Sequence, residues 1–222
     1  MILEFIGLPG AGKSTLIGPL INKVSDAGIK ADNFASHNEK LMGSLSGKLK
    51  FISFVVFNGI SIYKLRQEIL KNGGKGKIIS QRIYKLLILI FSIKEYCKKH
   101  SDTILILDQG LMQMIGSIWI EQNAGKALDS QKAFTFAVKM LSSNWGYKLI
   151  KVNASVETVS DRIYSRGKNN CEFKLMNREQ LSDRLKLYEN FINSAHSEVT
   201  VSSTNETVNE NVTIIYNSLF TK

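Results

Sequence analysis

A glycine-rich run, Gly7-Leu8-Pro9-Gly10-Ala11-Gly12-Lys13-Ser14-Thr15, holds the residues whose spacing speaks most directly of chemistry. It fits the pattern G-x-x-x-x-G-K-[ST] in full and stands between an apolar strand, expected over Ile2–Ile6, and a helix expected from Lys13 to Ala27. The glycines let backbone amides turn inward around phosphate oxygens, and the helix N-terminus behind them adds partial positive charge. Lys13 would supply a mobile charge for β and γ phosphates, Ser14 a hydroxyl for Mg²⁺, and Thr15 a helix cap or an α-phosphate contact. With ordinary glycine usage the bare pattern arises in on the order of one per cent of chains this long, and the preceding strand lowers that further. Gly7, Pro9, Gly10, Ala11, Gly12, Lys13, Ser14 and Thr15 are the expected nucleotide-binding residues.

A second element is the apolar run Ile104-Leu105-Ile106-Leu107 ending in Asp108, a carboxylate placed to join a Mg²⁺ shell or to take a proton from a hydroxyl nucleophile. Gln109-Gly110 follows, where a water-positioning glutamate would mark a dedicated ATPase, and no Asn-Lys-x-Asp segment for reading guanine is present. A third element is Arg162 and Arg166, four residues apart and so on one face of an expected helix. Two guanidinium groups there could clamp a transferring phosphoryl group, and Gly167 with Asn169-Asn170 would let a lid spanning about 162–177 close over it.

In these segments, and in Val152-Asn153-Ala154-Ser155 before Asp161-Arg162, the chain resembles the P-loop nucleoside and nucleotide kinase group. That group includes adenylate, thymidylate and shikimate kinases and the chloramphenicol phosphotransferases. The resemblance implies a three-layer α/β fold, ATP and Mg²⁺ at Gly10 to Thr15, metal or base chemistry at Asp108, and a lid at Arg162, Arg166 and Lys168. It runs from Met1 to Lys168, with a middle between Phe34 and Ser101 that matches no named member. Asp108-Gln109 stands where thymidylate kinases usually carry Asp-Arg, and their Arg-Glu-Pro segment is absent. The acceptor would meet the end of strand 2 and the helices after it, which makes Asp32, His37, Glu39, Arg66 and Arg82 candidates, with Arg82 preferred. Gln109 and Gln113 could hydrogen-bond a sugar or a base.

The elements needed to hold these residues follow from the alternation of short apolar runs with helical segments, which indicates a parallel sheet covered on both faces. Strands are expected at Ile2–Ile6, Ile29–Phe34, Thr103–Leu107, Tyr147–Val152 and Glu198–Ser202. Besides the first helix, helices are expected at Lys48–Lys71, Ile78–Lys99, Leu111–Gln122, Ser130–Asn144, Val156–Ser165, Arg178–Ala195 and Glu206–Phe220. The 222 residues form a single expected domain, its segment of about 35–100 serving the acceptor side.

Two apolar stretches, Phe51–Tyr63 and Ile83–Ile93, fall short of the ~20 residues a membrane span needs and are read as buried helices, without stable membrane insertion. The first, flanked by Lys48, Lys50, Lys64 and Arg66, leaves open a peripheral contact with a membrane surface. The net charge of +10 favours anionic partners, but no long basic tail or aromatic-interleaved basic run points to nucleic acid. Cys97 and Cys171 lack metal-ligand companions and read as reduced thiols. With a strand starting at the first residues, no secretory signal is expected ahead of the fold, and a cytoplasmic location follows. The expectation is an ATP-dependent small-molecule kinase acting on a nucleoside, nucleotide or sugar-like acceptor. A saccharide kinase of surface-polysaccharide synthesis and a non-catalytic ATP-binding regulator remain open, and a homodimer is compatible with the two long apolar helices.

Overall fold

The most apolar runs become the central strands of a parallel sheet, because such strands have helices on both faces and no wet side. The computed structural model describes residues 1–34, 44–71, 77–121, 130–141, 145–165, 173 and 176–221. Its strands are β1 (Ile2–Gly7), β2 (Ala31–Asn33), β3 (Ile104–Leu107), β4 (Tyr147–Asn153) and β5 (Val199–Ser202). They pair in parallel in the order β2-β3-β1-β4-β5, so five strands stand as expected. Every residue of β1 and β3 is buried. The chain leaves β1 toward β2 and later returns past it to β4, so the strand order reverses at β1. The crevice at the carboxyl ends of strands beside such a reversal is where open α/β sheets bind ligands.

The helices are α1 (Lys13–Asp26), α2 (Leu45–Phe57), α3 (Gly59–Leu70), α4 (Lys77–Lys99), α5 (Leu111–Glu121), α6 (Ser130–Lys139), α7 (Val156–Ser165), α8 (Arg178–Ser194) and α9 (Val208–Phe220). Right-handed crossovers in opposite directions place α1 on one face and the helices between β2, β3, β4 and β5 on the other. α9 packs against α1, while α5 touches α4, α6 and α8. With all strands parallel, their carboxyl ends share one edge of the sheet, and the segments after β1, β3, β4 and β5 converge there.

The single helix expected over Lys48–Lys71 is in fact two, α2 and α3, which meet at 77°. Asn58 breaks the ladder: its side-chain amide donates to the Phe54 carbonyl at 2.8 Å, a bond that its own backbone N–H also makes at 3.0 Å. Gly59 follows and readily takes the turn. The buried reading of the two apolar stretches holds for Ile83–Ile93, whose Ile83, Leu86, Leu87, Leu89, Ile90, Phe91 and Ile93 are in the core. It fails for Phe51–Tyr63. Phe51 meets Phe91 of α4 edge-on and Phe54 packs against it at a tilt, whereas Ile52, Val56, Phe57, Ile60 and Tyr63 face outward, because among the described residues only one side of each short helix meets the rest of the fold.

Candidate active site

The loop after β1 is shaped by its glycines. Gly10 and Gly12 have φ of +87° and +91°, where a side chain would be strained. Gly7 admits no Cβ, which would lie 2.6 Å from the Val152 carbonyl oxygen of the neighbouring strand. The loop is thereby pressed against β4, and it turns within itself, with the Ala11 N–H donating to the Leu8 carbonyl at 3.0 Å. Arg162 of α7 reaches the same loop, donating to the Gly10 carbonyl at 3.3 Å and to the hydroxyl and carbonyl oxygens of Ser203, each at 3.1 Å. One guanidinium therefore ties the glycine-rich loop to the turn after β5.

Lys13 is buried, and its ammonium donates to the carbonyls of Gly7 at 2.9 Å and Leu8 at 3.0 Å. Burial lowers its pKa to about 8, against the opposing pull of the Asp108 and Glu4 carboxylates. Asp108 stands just past β3, and its Oδ2 accepts from the Ser14 hydroxyl at 2.7 Å. Residues 94 positions apart thus bring together the hydroxyl and carboxylate oxygens that suit Mg²⁺. Mg²⁺ commonly takes one or two protein oxygens and completes its shell with phosphate oxygens and water. The Ser14 hydroxyl and the Asp108 carboxylate are two oxygens of the kind such an ion takes from a protein, and the pair fits it.

Glu4 lies fully buried in the middle of β1. Its carboxylate accepts from the backbone N–H groups of Met112 at 3.1 Å and Gln113 at 2.8 Å, and from the Tyr147 hydroxyl at 2.6 Å. Burial pushes its pKa up, while these donors pull it down. The Tyr147 hydroxyl is also pushed well above its ordinary range, by burial first and by the neighbouring Glu4 charge second. The carboxylate thus sits under the first turn of α5, where the helix leaves N–H groups unpaired and favours negative charge. Gly110 completes the fit, since a Cβ there would come within 2.4–2.6 Å of the Glu4 carboxyl atoms. Sequence reading assigned Glu4 no role, although a lone acid inside Ile2-Leu3-Glu4-Phe5-Ile6 is a usable signal because a buried charge needs partners.

Beside Pro9 and the Asp108 turn opens a cavity of about 610 Å³, lined by Arg82 and Lys85 from α4, Gln109, Gln113 and Ser117, and Tyr188 from α8, among others. Arg82 donates to the Ser117 hydroxyl at 3.4 Å. The buried Gln113 side-chain oxygen has no hydrogen-bond partner among the described residues. No acidic side chain lines the cavity among the described residues. Arg82 and Gln109 were named from the sequence; Lys85 and Tyr188 were not, since helix periodicity does not say which turn of α4 or α8 reaches a cleft. Asp32 is placed elsewhere: its Oδ2 accepts from the Tyr96 hydroxyl at 2.6 Å, and it does not line this cavity. Arg66 is exposed on α3 and does not line it either. His37, Glu39, Arg166, Gly167, Lys168 and Cys171 lie outside the described residues. Cys97 is a buried free thiol with its pKa pushed up to about 11 by that burial. Among the described residues no single helix is long and apolar enough to cross a membrane.

No protein-family model matches the chain, and no curated protein matches it by sequence. Solved structures do match it along its whole length. A deoxyadenosine kinase from M. mycoides, with the products dCMP and a flexible dCDP bound, is similar at a TM-score of 0.53 and 19% identity over 100% of both chains. The structure of that enzyme with bound dCTP gives the same TM-score of 0.53 and 19% identity. With bound dATP the values are 0.50 and 17%, over 99% of this chain and 98% of that one. The likeness is one of fold: a five-stranded parallel sheet wrapped by helices in the arrangement of P-loop kinases.

Proposed function

We propose that the chain is an ATP-dependent kinase that transfers the γ-phosphoryl group to a hydroxyl or phosphate oxygen of a small acceptor. The observation that supports this most is the Ser14–Asp108 contact of 2.7 Å, a metal-compatible pair whose chain neighbours Pro9 and Gln109 line a 610 Å³ cavity with room for a second substrate. Gly10, Gly12 and Lys13 would hold the donor phosphates, with Ser14 and Asp108 supplying protein oxygens to Mg²⁺, which neutralises charge on the phosphates when bound. Arg162, and Arg166 beyond it, would stabilise the negative charge that builds on the transferring group. Catalysis would then rest on positioning and charge neutralisation.

The cavity wall supports an acceptor that offers both hydrogen bonds and negative charge. Arg82 and Lys85 suit a phosphate or carboxylate, while Gln109, Gln113 and Ser117 suit the edge of a base or the hydroxyls of a sugar. A nucleoside or nucleotide meets these demands most fully, in keeping with the deoxynucleotides bound in the structures of similar fold. The test is transfer of label from γ-labelled ATP to a panel of nucleosides, nucleoside monophosphates and sugars. Label should move to a nucleoside or nucleotide only when that acceptor is present. Intact ATP binding with no transfer to any acceptor would overturn the kinase reading and favour a nucleotide-binding regulator.

A further inference from the structure

We infer that α2 and α3 form a docking surface for an anionic lipid membrane. Four large apolar side chains of α2, Leu45, Leu49, Ile52 and Val56, are 58–76% exposed. At about 100° per residue they fall within about 60° of one another, on the side opposite the buried Gly47, Phe51 and Phe54. Phe57, at the bend, is the most exposed of the large apolar residues at 85%. On α3, Ile60 and Tyr63 repeat the arrangement opposite the buried Leu65, Glu68 and Ile69.

The cations settle what kind of partner fits. Lys48 and Lys50 flank the α2 stripe on its two sides, and Lys64 and Arg66 flank the α3 pair in the same way by helical periodicity. Between Ser44 and Gln67 the sequence contains no Asp or Glu. An isologous contact between two copies would lay stripe on stripe and set these same cations against one another, with no acid of the segment to neutralise them. An anionic bilayer accepts both features: apolar side chains enter the headgroup boundary while lysine stems run along it and keep their charges at the lipid phosphates. Two helices of 13 and 12 residues, bent at 77°, are too short to cross singly and suit a position in the interface plane. The net charge of +10 adds long-range attraction to the same surface.

The full-length chain should co-sediment with vesicles containing phosphatidylserine, bind far less to vesicles of phosphatidylcholine alone, and release as salt is raised. Ile52→Glu with Phe57→Glu should abolish binding, and Lys48→Gln with Lys50→Gln should weaken it about tenfold or more. All four positions are exposed, Ile52 and Phe57 as apolar groups and Lys48 and Lys50 as cations, and thermal melting of each variant checks that the fold is kept. Failure of the parent chain to bind phosphatidylserine vesicles would overturn the proposal, as would unchanged binding by folded Ile52→Glu/Phe57→Glu. A parent chain that elutes as a dimer, becomes a monomer on Ile52→Glu and ignores vesicles would assign the face to a second copy instead. None of these measurements requires kinase activity.

Discussion

The donor and acceptor sides of the candidate site are built from different materials. Around the phosphate loop the contacts are close, buried and largely made by backbone: Gly7 against the Val152 carbonyl, Lys13 on the Gly7 and Leu8 carbonyls, Arg162 on Gly10 and Ser203. Across the cleft the wall is made largely of side chains on helices, several of them exposed, such as Gln81 and Lys85, with exposed Gln109 from the bend before α5. The first arrangement tolerates little change because a strand lies directly behind it. The second can be altered one side chain at a time, which suits it to choosing an acceptor. The donor side should therefore be hard to modify without losing turnover, and the acceptor side should show effects confined to one substrate.

Removing the carboxylate that meets Ser14 tests this most severely. Asp108→Ala should lower kcat by about 10²–10³, a loss of the size seen when one preorganised charge-stabilising group is removed. Thermal melting should stay near that of the parent chain, since Asp108 is at the sheet edge. A smaller loss confined to acceptor KM would move Asp108 to the other side of the comparison. Next in size, Arg82→Ala should raise the acceptor KM by about 10–100-fold, the equivalent of one lost charged hydrogen bond, and leave the KM for ATP within a factor of two or so. Equal changes in both constants would erase the distinction between the two sides. The mildest test is pH. Below about 8 the buried Lys13 carries its charge, and as pH rises through about 8 the charge is lost, so kcat/KM for ATP should fall by about tenfold per unit above that point. In kcat the decline should come at higher pH, because bound phosphates favour the charged lysine.

Much of the sheet and the donor side could be read from residues alone. Ile104–Leu107 is uniformly apolar and Ile2–Ile6 is apolar but for Glu4, the glycine pattern has a fixed geometry, and Val156–Ser165 is a helix with the expected bounds. What escaped reading has physical reasons. α2 is apolar on nearly every side, so composition could not show that only Phe51 and Phe54 would find a partner on α4. The Asn58-Gly59 pair is a breaker by nature, yet the apolar residues on both sides masked it. Asp32 lies in the second strand, near the expected acceptor side, but Tyr96 of α4 takes it up, a contact across 64 residues that no local pattern encodes. The Ser203 partner of Arg162 is likewise set only by the closing of the sheet.

The carboxylate of Glu4 has a consequence for how such a molecule could diversify. It grips α5 by main-chain N–H groups, which every amino acid but proline possesses, and it does so from the same strand that ends in the phosphate loop. The glycine-rich loop and the α5 wall of the cavity therefore share one mounting, and that mounting is indifferent to which side chains α5 displays. Substitutions at Gln113 or Ser117 could change what the cavity admits while the helix stays in register with the loop. The proposed choice of acceptor could then shift by small steps, each leaving the glycine-rich loop in place.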